Sequence, residues 1–134
     1  MPALTTTVLK DRTTPTPVDH TFTPESIKDG VGQVIETSGV PIGNSRLSVS
    51  SRKLSTGKYK SEVRLAVPVV SSETINGITS PKILRTAFVS AQFTFDETSS
   101  EAERNNIVGM FADALSPSKT LVNDTVVKLQ GVYR

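Results

Sequence analysis

Cysteine is absent from the 134 residues, which excludes a disulfide framework, a thiolate nucleophile and a cysteine-ligated zinc. That absence fits a reducing compartment. Histidine occurs once, at His20 in a Thr-rich run. A single histidine cannot complete a usual zinc site without cysteine, and on a strand it is ordinarily structural or merely exposed. No apolar run approaches the ~20 residues of a membrane helix, so no membrane association is expected. The opening MPALTTTVLKDR has neither a basic leader before an apolar block nor a small-residue cleavage site, and no export is expected. An Arg-rich arm is missing too, since residues 1–30 hold three basic and four acidic side chains. Any contact with a polyanion must come from folded structure.

The materials of catalysis are equally scarce. Glu101 and Glu103 sit where a helix begins and read as cap residues before they read as an acid/base pair. Gly30-Val31-Gly32 precedes a strand, whereas a phosphate-binding glycine loop follows one. Asn123-Asp124-Thr125 matches a glycosylation sequon that means nothing without secretion. No nucleophile, base and oxyanion donor can be assembled. Neither an enzyme nor a cofactor is expected.

What the chain does have is segregated charge. The formal net charge is +2, yet residues 46–64 carry six basic residues and one acidic one. The rest of the chain is therefore net acidic. Within Arg46 to Arg52, period-two alternation puts Arg46, Ser48, Ser50 and Arg52 on one face of a strand and Leu47 and Val49 on the other. After a break at Ser55-Thr56-Gly57, Lys58, Lys60, Glu62 and Arg64 share a face opposite Tyr59, Ser61, Val63 and Leu65. Two strands thus offer one apolar and one cationic face, and a one-signed surface attracts a polyanion.

Around this pair the order of elements is simple. Leu4 to Lys10 and His20 to Thr23 flank the turn-forming DRTTPTPVD as an N-terminal hairpin. Residues 24–30 read as a loop, residues 31–36 as a strand, and residues 38–41 as a break. A long strand over 84–95 is reached through VVSSETINGITSPK, in which Asn76-Gly77 favours a tight reversal and Pro81 stops pairing. That connection, including the loop 71–81, is expected to be long and mobile. Phe88 stands among Thr86, Ser90 and Gln92, either as ordinary surface or as a platform for something flat. Thr98 and Ser100 each have a glutamate three positions on, which starts a helix running to about Leu115. Ile107, Val108, Phe111, Ala114 and Leu115 make its apolar stripe. Ser116-Pro117 starts a second helix with Leu121 and Val122 inward. The fold class is α+β in a single domain over residues 1–134.

These pieces, in this order, resemble the coat proteins of single-stranded RNA bacteriophages, the levivirus group. Gly39-Val40-Pro41, Arg46-Leu47-Ser48-Val49-Ser50, Lys58 to Arg64, Arg85-Thr86-Ala87-Phe88, Phe93-Thr94-Phe95 and Ser99 to Arg104 carry the resemblance. It implies an N-terminal β-hairpin, a five-stranded antiparallel sheet and two C-terminal helices, with two chains interlocked as a homodimer. The partners it implies are further copies in a quasi-equivalent icosahedral shell of T=3 type, genomic single-stranded RNA, and an RNA hairpin whose binding represses replicase translation. Assembly would take place in the bacterial host cytoplasm and the product would be the virion. Arg46, Ser48, Ser50, Arg52, Lys58, Lys60, Glu62, Arg64, Phe88 and Ser90 become the expected RNA-binding residues. Ser48, Ser50, Lys60 and Glu62 would line base pockets, and Phe88 would replace a base-stacking tyrosine. Glu62 is acidic where relatives carry lysine or glutamine, Ser90 replaces an amide or carboxylate, and the 71–81 segment has no crosslinking cysteines. A dimeric RNA-binding regulator that never assembles is the competing reading; a small enzyme is a distant third.

Overall fold

The structure, a computed structural model, describes residues 2–37, 39 and 41–133. Two compact units divide the chain, one ending at Thr94 and one starting at Phe95. The first is an antiparallel sheet whose six strands follow chain order: β1 (Thr7–Lys10), β2 (Asp19–Lys28), β3 (Val31–Glu36), β4 (Ser45–Lys53), β5 (Tyr59–Ile75) and β6 (Ile78–Phe95). A short 3-10 turn, Pro41–Gly43, precedes β4. The expected break at 38–41 lies partly outside the described residues, since Ser38 and Val40 are not among them.

β2 serves two pairings. Its first residues, Asp19 to Phe22, close the N-terminal hairpin against β1, and its remainder opens a five-stranded sheet against β3. Residues 24–30 are therefore not the expected loop. The strand runs on through them: Pro24 pairs with Val34, the register shifts between Pro24 and Ser26, and prolines in sheets keep to such irregular positions because they have no N–H to donate. The reversal itself is only Asp29-Gly30, with φ of 53° and 79°, the left-handed pair a two-residue hairpin turn needs.

The segment 71–81 is corrected in the same way. β5 and β6 run on to Ile75 and from Ile78, joined by Asn76-Gly77 with φ of 53° and 79°. Thr74 Oγ1 and Thr79 Oγ1 hydrogen-bond at 2.9 Å, and Lys82 reaches Glu73 at 3.7 Å. Pro81 lies inside β6 without ending it. β6 is last in the sheet order, and an edge strand can turn a proline's missing donor outward.

Register fixes two faces. β3, β4 and β5 bring Val34, Leu47 and Leu65 together on one, with Val49 opposite Val63 beside them. Phe22 and Val34 are its buried hydrophobic residues, 3% and 4% exposed. Leu4 lies over β3 at Gly32, where an added Cβ would meet Leu4 Cδ1 at 3.0 Å; glycine admits the N-terminal segment there.

The second unit holds α1 (Glu101–Ala114) and α2 (Thr120–Val126). Of the two possible caps, Ser100 is the one used. Its hydroxyl accepts from Glu103 N at 3.2 Å, while Arg104 donates back to Ser99 O at 2.7 Å. Helix α1 ends at Ala114 with Leu115 as its C-cap, close to the end its stripe predicts. In α2, Val122 is half-buried but Leu121 is exposed, because two turns of helix within this unit provide no surface to cover both. No residue of either helix is buried.

Candidate nucleic-acid interface

The second sheet face is built by three neighbouring strands. β4 places Ser48 between Gln33 of β3 and Arg64 of β5, and Ser50 between Val31 and Glu62. Arg46 lies between Ile35 and Ala66, and Arg52 stands directly opposite Lys60. Seven of the expected residues thus share a face, since cross-strand partners point the same way. Lys58 precedes β5 in the tight connection, where its carbonyl accepts from Leu54 N at 2.7 Å. Phe88 and Ser90 are on β6, on the side away from the half-buried Ala91, Phe93 and Phe95. Phe88 is 79% exposed.

A cavity of about 180 Å³ opens on this face, lined by Val31, Ser48, Ser50, Glu62 and Arg64. Lys60, expected beside Ser48, Ser50 and Glu62, does not line it; Arg64 does. Neither Phe88 nor Ser90 lines it. A larger depression against α1, about 700 Å³ and bordered by Glu101, Arg104 and Asn105, is open to solvent and gathers no comparable set of hydroxyls.

The charges on the sheet are not equivalent. Arg64 is held by Glu62, with Nε to Oε1 at 2.7 Å and Nη2 to Oε1 at 2.5 Å. Arg52 and Lys60 face each other as like charges, an arrangement that costs stability unless an anion lies between them. On the opposite face Lys53 Nζ lies 5.8 Å from the Tyr59 ring centroid, a cation–π contact at the same end of the hairpin.

Sequence reasoning overlooked Val31 and Gln33. Ser48 Oγ donates to Gln33 Oε1 at 3.4 Å, and Gln33 Nε2 donates to Glu25, so a fixed amide borders the face. Asp29-Gly30 could have revealed both residues. Treated as a two-residue turn, it sets the β2–β3 ladder and turns Val31 and Gln33 to one side.

His20 has a defined structural place. Its Nε2 meets Asp11 Oδ2 at 2.8 Å and its Nδ1 meets Glu36 Oε2 at 2.8 Å, tying the β1–β2 loop to β3. Only the imidazolium can donate to both carboxylates at once. The hydrogen bond to Asp11, then that to Glu36, raises the His20 pKa. Asp11 is held well below the usual carboxylate range, first by the Val18 N–H and then by His20 and Thr13. Among the described residues, no group of three metal-ligating side chains could hold an ion.

The sequence matches the family model described as Levivirus coat protein over residues 2–133. It is 56% identical over 126 residues to the capsid protein of Pseudomonas phage PRR1, covering 94% of this chain and 95% of that protein. The fold is similar to the virus-like particle of bacteriophage NT-214, with a TM-score of 0.83 and 22% identity over 96% of this chain and 98% of that one. It is similar also to the capsid protein of bacteriophage GA, with a TM-score of 0.82 and 21% identity over 98% of each chain. At those identities the solved structures speak for the fold alone. The matched length and the identity to the PRR1 protein together make this chain a member of the levivirus coat protein family.

Proposed function

We propose that this levivirus capsid protein binds single-stranded genomic RNA on the β3–β4–β5 face and closes a shell around it. One observation carries the proposal: Arg46, Ser48, Ser50, Arg52, Lys60, Glu62 and Arg64 converge on one sheet face, with Lys58 at its end. Cations beside hydroxyls on a flat surface suit phosphates and splayed bases together. Phe88 supplies an exposed ring for stacking, with Ser90 beside it on β6. Docked on this face, an RNA hairpin at the replicase start would silence translation.

The assembling unit is a homodimer. Both helices carry exposed apolar residues, among them Ile107, Met110 and Leu121, and β6 has an open edge carrying Ile83, Leu84 and Val89. A second copy that extends the sheet and lays its helices down would cover both. Relatives of similar fold, those of phages NT-214 and ESE058, form virus-like particles, which supports a closed shell over a free dimeric regulator; the shell we infer is icosahedral, of T=3 type. Assembly takes place in the host cytoplasm.

Expression of the full chain followed by size exclusion and electron microscopy tests this reading. Closed particles carrying nuclease-protected RNA are the expected product. Dimers that never enlarge at any RNA concentration would favour the regulator.

A further inference from the structure

Glu62 is the one carboxylate on the cationic face between residues 46 and 64, and it is not idle. Its side chain is 23% exposed, lines the cavity, and accepts the Arg64 Nε–H on Oε1, with Nη2 of the same guanidinium 2.5 Å from that oxygen. Arg64 is two residues further along the same strand, so both side chains leave β5 on the same side. A guanidinium is planar and carries five donors in a fixed fork. With Nε–H donated to Glu62 and Nη2 paired beside it against the same oxygen, the outer edge of the fork remains: the hydrogens of Nη1 and the outward one of Nη2. Glu62 also removes Arg64's net charge from the field felt by a phosphate.

We propose that Glu62 is a positioning residue that turns Arg64 from a phosphate contact into a base reader, selecting an unpaired base with two adjacent acceptors. The proposal rests on the RNA-binding reading of this face. Two RNA bases meet the requirement: guanine through N7 and O6, the commonest arginine contact, and cytosine through O2 and N3. Adenine has no two adjacent acceptors, because its amino group stands beside both N7 and N1. Uracil has an N–H between its two carbonyls. The lining adds two hydroxyls: Ser50 can donate or accept and so does not discriminate, while Ser48 donates to Gln33 and can accept. Val31 supplies the apolar wall against which a base can lie.

The opposing pair Arg52 and Lys60 shows the contrast. Neither has a carboxylate opposite it in the ladder, and their juxtaposition suits an anion. Charge readout and base readout are thus separated along one strand pair, with Arg52 and Lys60 toward the β4–β5 turn and Arg64 in the cavity.

The test uses the full chain and a set of RNA hairpins identical except for one unpaired loop nucleotide, bound at several salt concentrations. Guanine or cytosine should bind more tightly than adenine and uracil by about 5- to 150-fold, the range of one good bidentate contact. Replacement by 7-deazaguanine or 3-deazacytosine, each lacking one acceptor, should abolish the advantage and show which base is read. Glu62→Gln should reduce the preference to within about threefold while steepening the dependence of log K on log salt by about 0.7, as a freed Arg64 becomes a phosphate contact. Arg64→Lys, which keeps the charge but loses the fork, should lose the preference too. If adenine or uracil binds as tightly as the best base while Arg52→Ala still weakens every hairpin, the base-reader assignment fails and the RNA face stands. If neither Arg52→Ala nor Lys60→Ala alters binding, the RNA face itself fails.

Discussion

Met110→Ala separates a free chain from an assembling one. Met110 is 69% exposed on α1, and a substitution at such a surface site ordinarily changes stability by no more than about 0.5 kcal/mol. In a dimer whose partner covers α1, the same side chain recovers roughly two-thirds of the ~1.5–3 kcal/mol of full burial, about 1–2 kcal/mol per chain and twice that per dimer. Urea unfolding at two protein concentrations measures this under conditions that keep shells apart. A dimer that unfolds as it dissociates gains about 1.4 kcal/mol per tenfold rise in concentration, which raises the midpoint by a few tenths of a molar or more. Met110→Ala should lower the midpoint at both concentrations and preserve that dependence. A midpoint independent of concentration, together with a neutral Met110→Ala, would refute the reasoning. The scarcity of buried side chains points the same way: a 134-residue domain ordinarily buries about two-thirds of its unfolded surface, whereas here Phe22 and Val34 are the buried hydrophobic residues among those described.

Arg52→Ala should weaken binding to all RNAs alike and reduce the salt slope by about 0.7, measured by filter binding. Phe88→Ala should instead lose about 1–3 kcal/mol for a hairpin with an unpaired base and keep the slope, so unchanged affinity would leave Phe88 an ordinary exposed aromatic. Shortening the β5–β6 hairpin by replacing Ser72 to Thr79 with a tight turn removes the exposed Ile75 and Ile78 tip, and electron microscopy should then find altered or absent shells from soluble dimers. His20 makes stability depend on pH in a defined sense: its pKa is raised by Asp11 and Glu36, so its contribution is complete below about 6.5 and lost as pH rises through the elevated value. Asp11 acts oppositely, because its lowered pKa gives a contribution present above about 3.9 and lost as pH falls. Thermal unfolding should therefore be most resistant between those limits, and His20→Gln should abolish the decline on the alkaline side.

Strict alternation made the central strand pair legible, because a period of two leaves one way to sort Arg46, Ser48, Ser50 and Arg52 from Leu47 and Val49. The α1 cap was legible for a similar reason: a hydroxyl three residues before a glutamate has a specific use, and Ser100 takes it. Prolines misled. Pro81 reads as a breaker and Pro24 as the start of a loop, but the strand continues through Pro24 into a bulge and an edge strand accommodates Pro81, and neither context can be seen before the register is known. The cavity was half legible. Ser48, Ser50 and Glu62 follow from alternation, while Val31 joins them through a β3–β4 register that its own residues do not state, and Arg64 takes the place expected of Lys60.

The central claim is that the genome lies against the β3–β4–β5 face, and ultraviolet crosslinking of RNA inside purified particles, with mass spectrometry of the attached peptides, tests it most directly. Crosslinks should fall on peptides spanning Arg46 to Arg64 and on the one containing Phe88. Crosslinks confined to the α1 and α2 peptides, Glu101 to Val126, would put the RNA on the helices and contradict the account.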